Sequence, residues 1–229
     1  MRIARLLSLV MLGSAGGAPT LRAQKLFEGT ITYQVTPNGG TPLELIVRSN
    51  GHKLRQDMRA PGTGDESTTY QIIDGETGDV LVVIPAARQY MVANIKKARA
   101  AAVDGGDSSR ERADQLLADV VSTGRKETIV GLTCEVYVRK SQPGDEWCLT
   151  SGLGRVAAFD DRFTGSGAMT GAMRPFKDGA LVLRATMGAS AGRPMTMLAT
   201  AIDRAVPPAS LFKPPAGFDE MKNPMAPRR

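Results

Sequence analysis

The chain has 229 residues and a formal net charge of +6, and 42% of its residues are hydrophobic. Three arginines and no acidic residue lie in residues 1–23, so the rest of the chain carries only +3, too little to indicate a nucleic-acid-binding surface. No apolar stretch beyond this N-terminal segment is long enough for a membrane-spanning helix, and the length allows one domain with a sizeable core.

The N-terminus has the layout of a secretory signal peptide. A short basic segment is followed by the apolar residues 6–12, and Ala23 precedes a favourable cleavage point. A buried N-terminal helix is the alternative. No cysteine lies near the cleavage point, which excludes a lipid anchor there. We predict a signal peptide over 1–23, one domain over 24–220, a disordered tail over 221–229, and a periplasmic or secreted protein.

Alternating hydrophobicity predicts a run of short strands after the signal peptide. Asn50-Gly51 favours a type I′ hairpin turn, because both residues tolerate a positive φ. Residues 80–84 are apolar on both faces, which is typical of a strand covered on both sides. The predicted strands are 27–36, 43–48, 52–58, 69–73, 80–84 and 89–92.

Helical patterning replaces strand alternation between residues 94 and 122. Ser108 and Glu111 have the spacing of a capping box, and apolar residues recur at helical spacing from Ala113 to Val121. Gly124 is a suitable residue to end such a helix. We therefore predict two helices inserted between two runs of strands.

The second run of strands contains both cysteines. The predicted strands are 126–130, 132–139, 146–150, 180–187 and 195–202, and the glycine-rich residues 152–179 are predicted to form a mobile loop with one short helix. A close cysteine pair in an exported chain favours a disulfide between Cys134 and Cys148; free buried thiols are the alternative.

That disulfide determines which residues share a face of the sheet. Strand alternation puts Cys134 and Cys148 on one face with Leu132, Val136 and Val138, and puts Tyr137, Trp147 and Leu149 on the other. Both faces are apolar. The predicted fold is α+β and mostly antiparallel β, a curved sheet of roughly nine to eleven strands with two or three helices.

Several segments together resemble an exported bacterial family catalogued as a domain of unknown function (the 4412 type). They are Phe27-Glu-Gly, the run from Gly124 to Tyr137 around Cys134, Glu146-Trp147, and the closing run from Ser210 to Phe218. More distantly, the chain is similar to the LolA/LolB-like lipoprotein carriers. That likeness implies a half-barrel closed by helices over an apolar cavity for acyl chains, and it brings no catalytic residues.

The motifs of enzymes and metal sites have simpler explanations. Gly188-Ala-Ser190-Ala-Gly192 matches a hydrolase nucleophile motif, but a strand rather than a helix follows it, so a hairpin turn is preferred. The single histidine, His52, lies at a predicted hairpin tip without partners at metal-ligand spacing. Asp74, Glu76 and Asp79 fit a turn better than a calcium loop. We therefore predict no catalytic residue, no cofactor and no metal site.

Methionines crowd the C-terminal half of the chain. Met195 and Met197 share one face of a predicted strand, and Met187 belongs to the preceding strand. Plain core packing, the lining of an apolar ligand cavity and Cu(I) binding are three interpretations of this group. Met187, Met195 and Met197 are the candidate cavity residues.

Two functions remain from the sequence, and neither is enzymatic. The first is an envelope protein that binds or carries a lipid or acyl chain, favoured by the doubly covered sheet, the methionines and the carrier resemblance. The second is a structural or protein-interaction module of the envelope without a small ligand, with an envelope protein as its partner. An enzyme is disfavoured because one histidine and no convergent acid–base set are present.

Overall fold

The computed structural model describes residues 26–62, 69–97, 119–154, 156, 180–188, 192 and 194–221. Within these ranges the chain forms one sheet of twelve strands. The strands are β1 Glu28–Thr36, β2 Leu43–Asn50, β3 Lys53–Arg59, β4 Thr69–Asp74, β5 Asp79–Ile84, β6 Gln89–Asn94, β7 Val120–Ile129, β8 Leu132–Arg139, β9 Glu146–Ser151, β10 Ala180–Met187, β11 Met195–Asp203 and β12 Asp219–Met221.

The sheet consists of two antiparallel meanders joined side by side. Its order is β12-β6-β5-β4-β3-β2-β1-β11-β10-β9-β8-β7, so β1 through β6 form one meander and β7 through β11 form the other. The first strand of one meander pairs with the last strand of the other, from Thr30 opposite Asp203 to Thr36 opposite Thr196. The prediction of a mostly antiparallel sheet is confirmed, and the count is twelve rather than nine to eleven.

The strand that sequence analysis missed is β12. It is the three-residue segment Asp-Glu-Met, which has no apolar alternation, and it pairs in parallel with β6 from Asp219 opposite Gln89 to Met221 opposite Met91. This segment forms a strand because it pairs with the edge of β6, and its own amino-acid composition contributes little to strand formation. Met221, which was predicted to begin the disordered tail, therefore ends a strand, and residues 222–229 lie outside the described part.

The prediction of a helix that reaches Val121 is wrong for the C-terminal end of that helix. β7 already begins at Val120, and Gly124 lies within that strand with φ 72°. The ladder between β7 and β8 shifts register between Ser122 and Lys126, so Gly124 belongs to a β-bulge. A positive φ suits a helix end and a bulge equally, and the sequence alone does not distinguish them.

The described residues contain few helical segments. Pro85–Ala87 and Ala209–Phe212 are 3₁₀ helices, and residues 95–97 are helical. Most of the predicted helical insertion (98–118), the signal peptide, the capping box at Ser108 and nearly all of the predicted loop over 152–179 lie outside the described residues.

The two faces of the sheet differ in chemistry, and we name each after a residue that it carries. The tryptophan face carries Trp147 and Tyr33; the arginine face carries Arg184 and Arg55, as the strand registers require. In β9 the four residues from Trp147 to Thr150 are all buried, so both faces are covered there. This confirms the prediction that the region around the cysteines is shielded on both sides.

A second, smaller core lies on the arginine face of the N-terminal meander. Tyr70, Ile72 and Val83 pack there with Phe212 from the C-terminal 3₁₀ helix. The arginine face is thus covered at this end by residues that follow β11. The tryptophan face carries most of the larger core together with the candidate residues described next.

Candidate functional site

One row of directly paired residues crosses six strands on the tryptophan face. Directly opposed side chains in antiparallel strands lie on one face about 5 Å apart, so such a row is a continuous surface. We call it the apolar row, and its members in spatial order are Tyr137, Trp147, Ala185, Met197, Val35 and Leu43. Its four inner members are buried, and the two at its ends are half-buried.

The three candidate methionines come together beside this row. Met187 on β10 lies opposite Met195 on β11, and Met197 follows two residues later on the same face. Met187 and Met197 are buried, whereas the side chain of Met195 is 36% exposed. Their common face agrees with the sequence analysis, while their role in lining a ligand cavity stays a prediction.

A second row runs parallel to the first and becomes more exposed toward β3. Tyr33 lies opposite Ala199 on one side and Leu45 on the other, and Leu45 lies opposite Met58. Tyr33 is buried, Leu45 is half-buried and Met58 is 44% exposed. The tryptophan face therefore presents apolar side chains to solvent near β3 and at Met195.

A buried ion pair lies beside the tryptophan end of the apolar row. Arg139 Nη1 is 3.3 Å from Asp145 Oδ2, and both side chains are about 5% exposed. The Arg139 guanidinium lies 5.2 Å from the ring centroid of Trp147, and Arg139 also donates to the side chain of Gln142. Asp145 Oδ1 accepts a hydrogen bond of 2.8 Å from the backbone N–H of Gly188. This group is charged, and its one carboxylate balances its one guanidinium.

The indole N–H of Trp147 is buried and has no hydrogen-bond acceptor among the described residues. The side chain is fully buried, so water does not reach this donor from the surface. A buried donor without a partner costs about 1–3 kcal/mol, and native proteins contain few of them. Sequence analysis placed Trp147 on the correct face but missed this property, because the acceptors available to an indole depend on distant parts of the chain.

The disulfide lies on the opposite, arginine face. Cys134 and Cys148 are bonded, with their Cα atoms 5.3 Å apart, which confirms the predicted pairing. Arg184 on β10 lies opposite Cys148, and Glu127 on β7 lies opposite Cys134. Arg184 Nη2 is 2.9 Å from Glu127 Oε1, so this ion pair spans the two cysteine strands.

Glu146 joins the same ion-pair cluster. Arg184 Nη2 is 2.5 Å from Glu146 Oε1, and Arg125 also contacts this carboxylate. Burial raises the pKa of Glu146, but the hydrogen bonds and charges of Arg184 and Arg125 outweigh it, so the pKa is lowered. These charged side chains pair with one another and stabilise the sheet around the buried disulfide.

A third group of charges holds the C-terminal segment on the arginine face. Asp57 is buried and accepts from Arg48 at 2.6 Å and from Arg55 at 2.7 Å. The Arg55 guanidinium lies 3.7 Å from the ring centroid of Tyr70 and donates to the carbonyl of Leu211 at 3.4 Å. Both arginines are held by protein groups, which is a structural role.

The residues of the rejected enzyme and metal motifs do not converge. His52 Nδ1 is 2.8 Å from Glu76 Oε1, and both side chains are exposed. Asp74 Oδ1 accepts from the backbone N–H groups of Glu76 and Thr77 at 2.9 and 3.0 Å, which makes this acidic group a turn. Ser190 lies outside the described residues. Across the described chain, no group of three or more His, Cys, Asp or Glu side chains could hold a metal ion.

None of the helical segments within the described ranges has the length and apolar character needed to span a bilayer.

Comparison with protein families yields one match over most of the chain. The model described as "Domain of unknown function (DUF4412)" matches residues 27–218, which runs from the residue before β1 to the residue before β12. No curated protein matches the chain.

Several solved structures are similar to this chain at low sequence identity. An uncharacterized conserved protein from Thermus thermophilus has 12% identity and a TM-score of 0.48, covering 86% of this chain and 91% of that one. The Pseudomonas aeruginosa MucA/MucB complex has 14% identity and a TM-score of 0.40, covering 83% and 56%. A LolA superfamily protein from Nitrosomonas europaea has 11% identity and a TM-score of 0.32, covering 83% and 90%.

Proposed function

The chain belongs to the DUF4412 family, and from that premise we propose that it is an exported, non-enzymatic protein that binds or carries a lipid or another hydrophobic ligand. The observation that carries the proposal is the apolar row across six strands of the tryptophan face. We place the ligand on this face, as the concave side of the predicted half-barrel.

The chemistry of the face suits an acyl chain. Sites for apolar ligands are lined mostly by hydrophobic side chains with a small number of polar groups. Met187, Met195 and Met197 add thioethers, whose flexible and polarisable side chains adapt to ligands of different shape. The Arg139–Asp145 pair lies at one end of the row and supplies the few polar groups.

Export is supported by the predicted signal peptide and by the disulfide. Disulfides persist in oxidising compartments such as the periplasm and are rare in the cytosol. The bond between Cys134 and Cys148 therefore supports a location outside the cytoplasm. A non-enzymatic role is supported by the single histidine of the chain, because His52 lies in an exposed turn away from the apolar row.

The alternative is a structural or protein-interaction module without a small ligand, which requires an exposed apolar patch. Leu198 is 40% exposed on the arginine face, but its directly paired neighbours are Arg184 and Gln34. The exposed Met58 and Met195 belong to the tryptophan face. Among the described residues, the arginine face therefore offers no apolar patch, and the apolar side chains of the tryptophan face are the surface that either function would use.

Two substitutions on β11 provide a matched test. Met195→Glu introduces a charge on the tryptophan face, and Leu198→Glu introduces the same charge at similar exposure on the arginine face. Each purified protein is extracted with organic solvent, and the bound lipid is quantified by mass spectrometry. We expect lipid in the wild type and in Leu198→Glu, and roughly tenfold less in Met195→Glu, since a charge beside an acyl chain is strongly unfavourable.

Two results would overturn the proposal. One is a wild-type protein that carries no lipid and takes up none from vesicles of phosphatidylethanolamine and phosphatidylglycerol. The other is an equal lipid content in Met195→Glu and Leu198→Glu, which would remove the ligand from the tryptophan face.

A further inference from the structure

We infer that Trp147 holds the polar end of the ligand, with its indole N–H donating a hydrogen bond to the carbonyl oxygen at the head of an acyl chain. The inference rests on the proposed function and specifies the chemical group that the face recognises. The carbonyl can belong to an ester or to a fatty acid, and the experiment below separates these two sources.

The first argument is the state of the donor. The indole N–H is buried, belongs to a fully buried side chain and has no acceptor among the described residues. Such a donor is unfavourable without a partner and gains a hydrogen bond when an acceptor reaches it. A ligand oxygen at this position removes the penalty, so binding recovers free energy that the unliganded fold has lost.

The second argument is the position of Trp147 in the apolar row. Trp147 lies directly opposite Ala185, and Ala185 lies directly opposite Met197. An acyl chain along the row from Val35 to Ala185 therefore ends beside the indole. Ala185 presents only a methyl group between the two large side chains of Met197 and Trp147.

The third argument is the polarity of the surroundings. The Arg139–Asp145 pair lies next to the indole, with the guanidinium 5.2 Å from the ring centroid. The rest of the row is apolar. This buried pair of charges therefore distinguishes the tryptophan end of the row from its other end, and it orients an amphiphile with its head toward Trp147 and its tail toward Leu43.

The chain offers a direct readout, because Trp147 is its only tryptophan. Monoacylglycerols with bromine atoms on the acyl chain quench indole fluorescence on close contact. We expect strong quenching when the bromines lie near the carbonyl end and weak quenching when they lie near the methyl end. The reverse order would overturn the orientation and with it the inference.

The donor is tested by a comparison of two ligands that differ at one carbonyl. 1-Monoolein contains an ester carbonyl, and its 1-O-oleyl ether analogue does not. We expect the wild type to bind the ester about tenfold more tightly than the ether, because the buried indole N–H has an acceptor in the ester complex and none in the ether complex. The preference should disappear in Trp147→Phe and in a protein with benzothienylalanine at position 147, which keeps the shape of indole without its N–H. Leu198→Glu on the arginine face should retain it.

The outcomes separate this inference from the proposed function. If neither monoolein nor its ether binds, the inference fails, and the lipid content of the purified protein and its uptake from phospholipid vesicles decide the proposed function separately. If the two position-147 variants keep the preference for the ester, or if monoolein and its ether bind equally and those variants also bind oleate as tightly as the wild type does, the inference fails while the proposed function stands. The binding of oleate to the same proteins identifies the source of the carbonyl. If removal of the Trp147 N–H weakens the binding of oleate alone, the ligand is a fatty acid. If it weakens the binding of monoolein, the ligand is an ester.

Discussion

The hydroxyl of Tyr33 donates a hydrogen bond of 2.9 Å to the backbone carbonyl of Val182, although strand β11 lies between the two strands that carry them. Tyr33 is paired with Ala199 on that intervening strand, and the small alanine lets the phenol ring pass over it. The ladder of β10 shifts register between Val182 and Arg184, where a bulge interrupts regular pairing. One side chain thus connects the two meanders over the top of the strand that separates them.

Replacing Tyr33 with phenylalanine should destabilise the protein by about 1–3 kcal/mol, because it removes a buried hydrogen bond and leaves the ring in place. Urea unfolding followed by circular dichroism measures the change. Tyr90→Phe is the matched control, since Tyr90 is a half-buried tyrosine of β6, and it should change the free energy of unfolding by less than about 0.5 kcal/mol. Equal effects of the two variants would contradict the assigned role of Tyr33.

The same hydroxyl should make stability depend on alkaline pH. Burial raises the pKa of Tyr33 above its ordinary value of 10.0, so the folded protein holds this proton more tightly than the unfolded chain. The contribution is fully present below the unfolded pKa and is lost as the pH rises through the folded pKa. Above about pH 10, where the unfolded chain begins to lose this proton, we expect the free energy of unfolding to fall more steeply with pH in the wild type than in Tyr33→Phe. Parallel curves would exclude this linkage.

Removing the disulfide should cost about 3 kcal/mol, the value expected for a closed loop of this length. The cysteines are 14 residues apart in sequence, and both side chains are buried. The double variant Cys134→Ala, Cys148→Ala is compared with the wild type by guanidinium unfolding, with and without a reducing agent. The reductant should lower the midpoint of the wild type and leave that of the variant unchanged; a midpoint that is the same for both oxidised proteins would count against a stabilising bond.

The ion pairs next to the disulfide should stabilise the folded protein at neutral pH and lose this effect in acid. Although burial raises the pKa of Glu146, Arg184 and Arg125 lower it more, to below its ordinary value of 4.5. A carboxylate with a lowered folded pKa contributes stability above the unfolded pKa and loses it as the pH falls through the folded pKa. Glu146→Gln should therefore be about 1 kcal/mol less stable at pH 7, with the difference shrinking below about pH 4. A constant difference across this range would refute the assignment.

Val130→Asn should stabilise the protein. Val130 and Gly131 form the two-residue turn between β7 and β8, with φ of 46° and 76°, and a β-branched residue is strained at a positive φ. Asn-Gly is the preferred pair for such a turn. We expect a gain of about 1 kcal/mol and a Tm increase of about 2–4 °C. Val206→Asn, at a more exposed valine without a positive φ, is the control and should leave Tm unchanged.

Local patterns predicted the parts of the fold that local chemistry decides. The alternation in residues 28–36 predicted the buried side of β1, and Asn50-Gly51 predicted the hairpin between β2 and β3. The predicted type I′ turn on this pair is wrong, because Asn50 ends β2 and only Gly51 has a positive φ, so the loop is Gly51-His52. The opposite faces assigned to Cys148 and Trp147 agree with the ladder, where Cys148 lies opposite Val136 and Trp147 opposite Tyr137. In each case a period of two residues or a turn dipeptide determines the outcome.

The parts that were missed depend on contacts between distant segments. Gly124 was assigned to a helix end, and Asp219–Met221 was not assigned to any strand, because a bulge and an edge pairing are decided by neighbouring strands. The candidate site was predicted in part: the methionines share their face, but the apolar row needs the pairing of Val35 with Met197, which no local pattern reveals.

The seam between β1 and β11 has a consequence for biosynthesis. Each meander can assemble hairpin by hairpin as the chain emerges, but the free side of β1 finds its partner only after β11 has been made, since Thr30 pairs with Asp203. Contacts so distant in sequence form slowly, and an unpaired strand edge can join another chain in the meantime. The yield of folded protein should therefore depend on how fast the last third of the polypeptide is made after the first. A high expression level should favour inclusion bodies in which the unpaired edge of β1 pairs with another chain.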